Sequence, residues 1–328
     1  MRVEAFLLQC YSCKYCDFLT NIFNLSISFC ESKSNHRHTV NPKVTIGIPF
    51  KDPGEYFSLA LKSIFAQTFT DWELILVDDG STDNSLFLAK NLQDPRVRVY
   101  SDGESRGLHI RLNQLVSLAK APYFIRMDAD DIMHPERLEK QYEELIRHSI
   151  NTVIGSAAYS IDKDSKVTGF RQIVFKQKIG FSARHSFIHP TVGASVEWFR
   201  KNPYSEQFVF QRSQDAELWC RTTSSTKFIN LPEPLLYYRE SGTFSFPNYL
   251  GTSLGLLLLI HKQHSYPRHN YLVLFTRELL KLWVACILHS FGLSDYLVSR
   301  RCSKLNTTRL HAGNQALAIV RQQKLPIG

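Results

Sequence analysis

Tyr123-Phe124-Ile125-Arg126-Met127-Asp128-Ala129-Asp130-Asp131 is the stretch on which the reading of this chain turns. A run of strand character delivers three carboxylates within four residues. Like charges held that close repel one another, and a divalent cation is the simplest partner that makes the cluster favourable. Hard oxygen ligands suit Mg²⁺ or Mn²⁺, ions that commonly hold phosphates in turn. A second acidic turn, Asp78-Asp79-Gly80-Ser81-Thr82-Asp83, follows the apolar strand Leu74-Ile75-Leu76-Val77. Two strands presenting acidic groups from their C-terminal ends point to one nucleotide-and-metal site, because open α/β sheets bind ligands at that edge.

Outward from there the same rhythm recurs. Val44-Thr45-Ile46-Gly47-Ile48-Pro49 is a β-branched run ended by proline and reads as a buried strand. Leu59, Leu61, Ile64 and Phe65 give Tyr56 to Gln67 a helical spacing. Helix Ser85–Leu92, strand Val97–Tyr100, helix Leu108–Ala119 and strand Tyr123–Met127 follow. Thr82-Asp83-Asn84 can cap the second helix, and Pro135-Glu136 can open one running to Arg147. This alternation predicts an α/β fold with a doubly wound, mainly parallel sheet flanked by helices. Beyond Thr152 the pattern loosens. Strands Val153–Ala158 and Val167–Phe170 precede a mixture of short strands with one helix near Asp215–Thr222.

From Tyr249 onward the chain is apolar but interrupted, a C-terminal helical extension over 243–328. Leu254 to Ile260 and Leu282 to Leu293 are too short to span a bilayer, which needs about 20 residues. Arg277, Glu278, Lys281 and Arg300-Arg301 stand beside Leu, Phe and Trp. That pattern fits an interfacial amphipathic helix or a helix packed on the main domain.

The formal net charge of +9 gathers towards the C-terminal third, at Arg268, Arg277, Lys281, Arg300, Arg301, Lys304 and Arg309. Such a surface suits nucleic acid, anionic lipid or a nucleotide. No zinc finger, helix-turn-helix or aromatic-rich RNA motif accompanies it, so nucleic acid is not expected as a partner. Seven cysteines, with Cys220, Cys286 and Cys302 in helical-looking segments, fit a reducing compartment rather than a disulfide framework. Cys10, Cys13 and Cys16, with Cys30 beyond, have metal-like spacing. The other reading of 1–42 is a poorly ordered leader, since it lacks clear periodicity and makes a poor signal peptide.

Taken in order, several blocks resemble the family 2 glycosyltransferases. These are Ile48-Pro49, Ser63-Ile64-Phe65-Ala66-Gln67-Thr68, Leu76 to Asp83, Met127 to Asp131, and Pro135-Glu136-Arg137-Leu138-Glu139-Lys140-Gln141. A distal part adds His189-Pro190-Thr191, Asp215-Ala216-Glu217-Leu218-Trp219-Cys220-Arg221 and Pro232 to Arg239. The likeness covers roughly 43–242, the expected catalytic domain. It implies the GT-A type of fold and transfer of a sugar, with inversion, from a nucleotide-diphosphate donor to an acceptor hydroxyl.

On that resemblance Asp130 is the first metal ligand, and Asp128 contacts the ribose or shares the metal. Asp79 meets the nucleobase, because a carboxylate can accept the ring N–H of uracil. Thymine offers the same N–H, so dTDP-sugars stay open beside UDP-sugars. Pro49 lies against the base. Asp78 and Asp83 read as turn or cap residues. Asp215 matches the family's base for the acceptor proton, although the usual Glu-Asp pair is here Gln214-Asp215. Arg111 stands where the family often reads Arg-Asn, here Arg111-Leu112-Asn113, and is a donor-binding candidate. His189 faces the acceptor or is structural. After Tyr238-Arg239 the family's histidine is replaced by Glu240-Ser241, leaving Arg239 as the cation for a loop over the diphosphate.

The expected partners are a nucleotide-sugar, a glycan or lipid-linked acceptor, and an anionic membrane touched peripherally at its cytosolic face. The block Gln-x-x-Arg-Trp that marks processive synthases is absent from the sequence. Two other classes compete. A sugar-phosphate nucleotidyltransferase would carry a Gly-rich basic loop where this chain has Pro49-Phe50-Lys51-Asp52-Pro53-Gly54. A degenerate relative would bind sugar nucleotide without turnover.

Overall fold

A computed structural model describes residues 41–173, 186–240, 245–262, 268–293 and 305–328. Cys10, Cys13, Cys16, Cys30, Cys302, Arg300, Arg301 and Lys304 lie outside them. Strands β1 (Val44–Phe50), β2 (Trp72–Asp78), β3 (Val97–Tyr100) and β4 (Tyr123–Arg126) pair in parallel in the order β3-β2-β1-β4. Helices α1 (Tyr56–Phe65), α2 (Ser85–Lys90) and α3 (Leu108–Leu118) form the crossovers, as the alternation predicts. Every residue of β1 and β2 is buried, which is why both read as continuous apolar runs. Pro49 lies past the last β1–β4 pair, Gly47↔Arg126, so its missing N–H falls where β4 has already ended.

The sheet then turns antiparallel. Next to β4 stands β8 (Gly193–Ser195), followed by β6 (Thr152–Ile161), β9 (Lys227–Arg239) and the two-residue β5 (Ile132–Met133), with β7 (Val167–Arg171) also on β6. β8 runs against both β4 and β6, so β4, β6 and β9 end at the same edge as β1 and β2. The 13-residue β9 is longer than the short strands expected from sequence. Pro232 and Pro234 hide it, and the ladder accommodates them by slipping register from Leu231↔Ser156 to Pro234↔Ala157. Helices α4 (Arg137–Arg147), α5 (Val196–Lys201) and α6 (Gln214–Thr222) complete this half.

Three further helices follow. α7 (Phe246–Lys262) packs Leu256, Leu259 and Ile260 on Phe210, Ala216 and Cys220. α8 (Arg268–Ser290) lays Tyr271, Leu274 and Phe275 against that cluster. α9 (Thr307–Gln322) falls within the helical extension expected over 243–328, although the sequence reading set no bounds for it, and Asn306 caps it by accepting the Arg309 N–H at 2.9 Å. α9 buries Leu317 and Val320 beside Tyr159 and Tyr237, and the Tyr237 hydroxyl donates to Gly313 O at 2.7 Å. No helix among the described residues is long and apolar enough to cross a membrane.

His134 stacks on Tyr237 with ring centroids 6.3 Å apart, and burial pushes its pKa down to about 4. The unfolded chain takes up this proton near the ordinary value of about 6.5, whereas the folded chain refuses it until about 4. Stability is therefore expected to fall as pH drops through that window, by up to about 3 kcal/mol from this group. Urea denaturation of His134→Gln should show a shallower decline over the same interval than the parent.

Candidate active site

The turn after β2 builds one end of the site. Asp78 is a turn residue, as its sequence context predicts: it accepts the Ser81 N–H at 3.0 Å and the Ser101 hydroxyl at 2.8 Å. Asp83 accepts from Gly54 N and Ser85 N, both at 2.9 Å. Asp52, at a left-handed φ of 46°, answers by accepting from Thr82 N at 2.6 Å and Asp83 N at 3.1 Å. The loops after β1 and β2 are thus clasped reciprocally. Lys51 ties the loop after β3 to them by donating to Ser105 Oγ at 2.8 Å.

Asp79 is buried at the centre of this lacing. Its Oδ1 accepts from Arg106 N at 2.7 Å, Arg111 Nε at 2.9 Å and Gly107 N at 3.1 Å. Its Oδ2 takes Ser105 Oγ at 3.2 Å and shares Gly107 N at 3.1 Å. Gly107 meets this need from a φ of 93°, with Gln211 Nε2 only 3.1 Å from where a Cβ would stand. Arg111 corrects the sequence expectation. It is 1% exposed and spends its remaining N–H groups on both Asp102 oxygens, Gln114 Oε1 and Glu104 O. With all five donors engaged it has nothing to offer a nucleotide and instead holds Asp79. The Asp102 carboxyl is kept well below the usual range by Arg111.

The acidic cluster lies across β1 at the exit of β4. Asp128 is one-third exposed and accepts from Arg126 Nη2. Burial and the Asp128 charge raise the Asp130 pKa, and burial with both neighbouring carboxylates raises that of Asp131 well above normal. Asp131 accepts the Arg239 N–H at 2.8 Å on Oδ1, while its buried Oδ2 has no partner. Arg239 also departs from expectation. It is buried over the Tyr56 ring at 3.9 Å and donates to Asp130 O, Asp162 O and Ser165 Oγ. It braces the acidic turn rather than leading a diphosphate loop.

Asp215 opens α6, and its carboxyl is raised by burial, against a lowering pull from Arg126 and a raising one from Asp128. His189 pairs with the Tyr204 hydroxyl at 2.9 Å, and burial holds its imidazole neutral. Asn113 fixes Tyr204 from the backbone side, donating to Tyr204 O at 3.0 Å and accepting Tyr204 N at 2.9 Å. Arg126 is the central residue of this arrangement that sequence reasoning passed over. It is fully buried, its Nε and Nη1 are unpaired, and its charge reaches Asp130, Asp131, His189, Tyr204 and Asp215. The available signal was one cation inside an apolar strand.

Struts under this centre explain the remaining motifs. Arg137 donates to Arg126 O and Pro190 O, each at 2.9 Å, and to Gln141 Oε1 at 2.8 Å. Gln141, one helical turn on, donates to Thr191 O at 2.8 Å. Burial and the nearby Arg126 lower the Arg137 pKa to about 9. From α1, Ser63 Oγ accepts Met133 N at 2.9 Å, and just past the helix end Gln67 donates to His134 O at 2.9 Å while accepting Leu138 N at 3.1 Å.

No group of three metal-ligating side chains is preassembled among the described residues. Two carboxylates, Asp128 and Asp130, beside an orphaned buried oxygen of Asp131 fit an ion whose other ligands come from phosphate.

Comparison with known proteins agrees with this architecture. Residues 45–206 match the family described as Glycosyl transferase family 2. The glycosyltransferase GlyG of Streptococcus pneumoniae is 35% identical over 217 residues, spanning 61% of this chain and 72% of its own. The Escherichia coli protein named UDP-Glc:alpha-D-GlcNAc-diphosphoundecaprenol beta-1,3-glucosyltransferase WfgD is 27% identical over 54% of this chain and 68% of its own. The mannosyltransferase PcManGT of Pyrobaculum calidifontis, solved with GDP-Man and Mn²⁺, superposes with a TM-score of 0.51 at 13% identity, covering 86% of each chain.

Removing Arg137 tests the struts. Arg137→Met leaves two buried carbonyls unpaired, and a loss of about 2–4 kcal/mol of stability is expected in urea denaturation. A change under about 0.5 kcal/mol would show that α4 does not brace the site.

Proposed function

The chain belongs to glycosyltransferase family 2, with the GT-A fold, and we propose that it moves a sugar from a UDP-sugar to an acceptor hydroxyl with inversion. One observation carries the reading: Asp215 and the Asp128–Asp131 cluster share one electrostatic neighbourhood around Arg126. The Asp79 lacing stands at the same sheet edge, two strands away. The acceptor is a glycan or lipid-linked sugar, and the enzyme works as a peripheral protein at the cytosolic membrane face in surface polysaccharide or lipid-linked glycan synthesis. The name of WfgD, with its UDP-glucose donor and undecaprenol-linked acceptor, supports this reading.

In this mechanism Asp79 Oδ1 stays with the Arg106 and Gly107 amides and Arg111. Oδ2, with its longer bonds, accepts the uracil N–H. Pro49 lies against the ring. A guanosine donor in PcManGT means that the shared fold alone does not choose the base, so the choice of uridine rests on Asp79. Asp130 and Asp128 would hold a divalent ion, Mn²⁺ or Mg²⁺, whose contribution is Lewis-acid stabilisation of the diphosphate. Arg126 holds the Asp128 carboxylate in place. Asp215 takes the acceptor proton as the hydroxyl oxygen bonds to the anomeric carbon and the bond to the diphosphate breaks on the opposite face. Burial raises its pKa above that of an exposed aspartate, which makes the carboxylate a stronger base.

A panel of UDP- and dTDP-sugars with Mn²⁺ or EDTA, followed by nucleotide release, tests the proposal. Metal-dependent turnover of one UDP-sugar is expected. Binding without turnover would instead identify a degenerate relative. Asp215→Asn should leave donor affinity within about twofold and lower kcat about a hundredfold or more. Asp130→Ala should abolish metal-dependent donor binding in calorimetry. Equal donor affinity in that variant and the parent at saturating Mn²⁺ would sink the metal assignment.

A further inference from the structure

The outward face of α8 is apolar and uncovered. Leu272, Leu279, Leu280, Trp283 and Ile287 recur at helical spacing, and Phe291 continues the stripe just past the helix end. Leu280 is 58% exposed, Trp283 62% and Phe291 76%. The opposite face is the packed one, with Ala285 and Glu278 buried and Tyr271, Leu274 and Phe275 against α7. A contiguous apolar stripe along a helix roughly 35 Å long is more than a soluble monomer ordinarily shows.

We propose that this face is a docking surface for an anionic lipid bilayer, with α8 lying in the plane of the headgroups. Charge selects the occupant. The one acidic residue of α8, Glu278, is buried. It is paired with Lys281 at 2.9 Å and Arg277 at 3.5 Å, whose half-exposed side chains flank the stripe. The exposed charge along the helix is therefore basic, complementary to phosphate headgroups. A second copy docked through the same face would bring these cations together with no exposed α8 carboxylate to meet them. Crossing the bilayer is excluded for α8, since no described helix is long and apolar enough. The proposal rests on the membrane-borne acceptor for its purpose and on the helix surface for its substance.

Tryptophan fluorescence of the full chain reports on this face directly. The chain has four tryptophans, and Trp72, Trp198 and Trp219 are buried. Vesicles of phosphatidylcholine with about a third phosphatidylglycerol should blue-shift the Trp283 emission, and acyl-brominated lipid should quench it. In flotation, Trp283→Glu with Leu280→Glu should lower partitioning at least about tenfold. Raised salt should weaken binding to the anionic vesicles several-fold and leave pure phosphatidylcholine unaffected. Nucleotide release from a soluble donor should be unchanged in the double variant, so that failure of docking and failure of catalysis are read separately. Flotation unaltered by the double substitution would overturn the assignment. So would a parent that ignores vesicles, whether it sediments as a monomer or as a dimer that the substitutions dissociate.

Discussion

Three carboxylates at the exit of β4, two of them raised in pKa by burial, are held beside buried guanidinium groups, and the rest of the site is arranged around that charge balance. Arg126 pairs with Asp128, Arg239 takes up Asp130 O and offers its N–H to Asp131, and Arg137 grips the carbonyl of Arg126 from beneath. Opposite charges close by favour ionised carboxylates, while burial and mutual repulsion oppose them. Burial first, and repulsion after it, still outweighs the cations for Asp130 and Asp131. A further positive charge placed beside the cluster would offset both costs.

That balance reaches far along the chain because the guanidinium groups come from different elements. Arg126 belongs to β4, Arg137 to α4 and Arg239 to the end of β9, so the acidic turn ties the parallel half of the sheet to the antiparallel half. Arg239 also holds the β6–β7 turn at Asp162 and Ser165, and Arg321 of α9 donates to Ser165 O at 2.9 Å. The last helix is thereby joined to the site through one shared turn. A late segment of sequence with no chemistry of its own thus supports residues almost two hundred positions earlier.

Much of the fold was legible because local pattern and tertiary environment agree in it. β1 and β2 are buried along their whole length and read as apolar runs, and β3 carries the same bounds in sequence and structure. Asp79 and Asp128 were legible as residues of one sheet edge because the parallel strands before them end there. The failures have a different origin. β9 carries two prolines that are tolerated only because the ladder slips register, a fact of pairing and not of propensity. Arg111 and Arg239 are cations whose partners, Asp102, Glu104 O, Asp162 O and Ser165, are fixed by loop geometry. A motif can say that an arginine is present, but not which of its five donors are already taken. α9 lacks an apolar stripe strong enough to set its bounds, and its burial comes from Tyr159 and Tyr237.

The two ends of the site differ in how completely their hydrogen bonds are met. Around Asp79 every loop is tied: Asp52 with Asp83, Lys51 with Ser105, and Arg111 with all five of its donors. The Asp79 end leaves His109 Nδ1 unpaired beside Gly107, whereas Arg126, Asp131, Gln214 and Trp219 carry such atoms around Arg126 and along α6. Each such atom costs about 1–3 kcal/mol if nothing meets it. Folding alone gives no reason to retain them. Gln214 sharpens the contrast. A glutamate there would add a carboxylate beside Asp215 and raise the burden that Arg126 already carries. The amide keeps the side chain polar without the charge, so Asp215 meets the field of Arg126 with no second carboxylate at the neighbouring position.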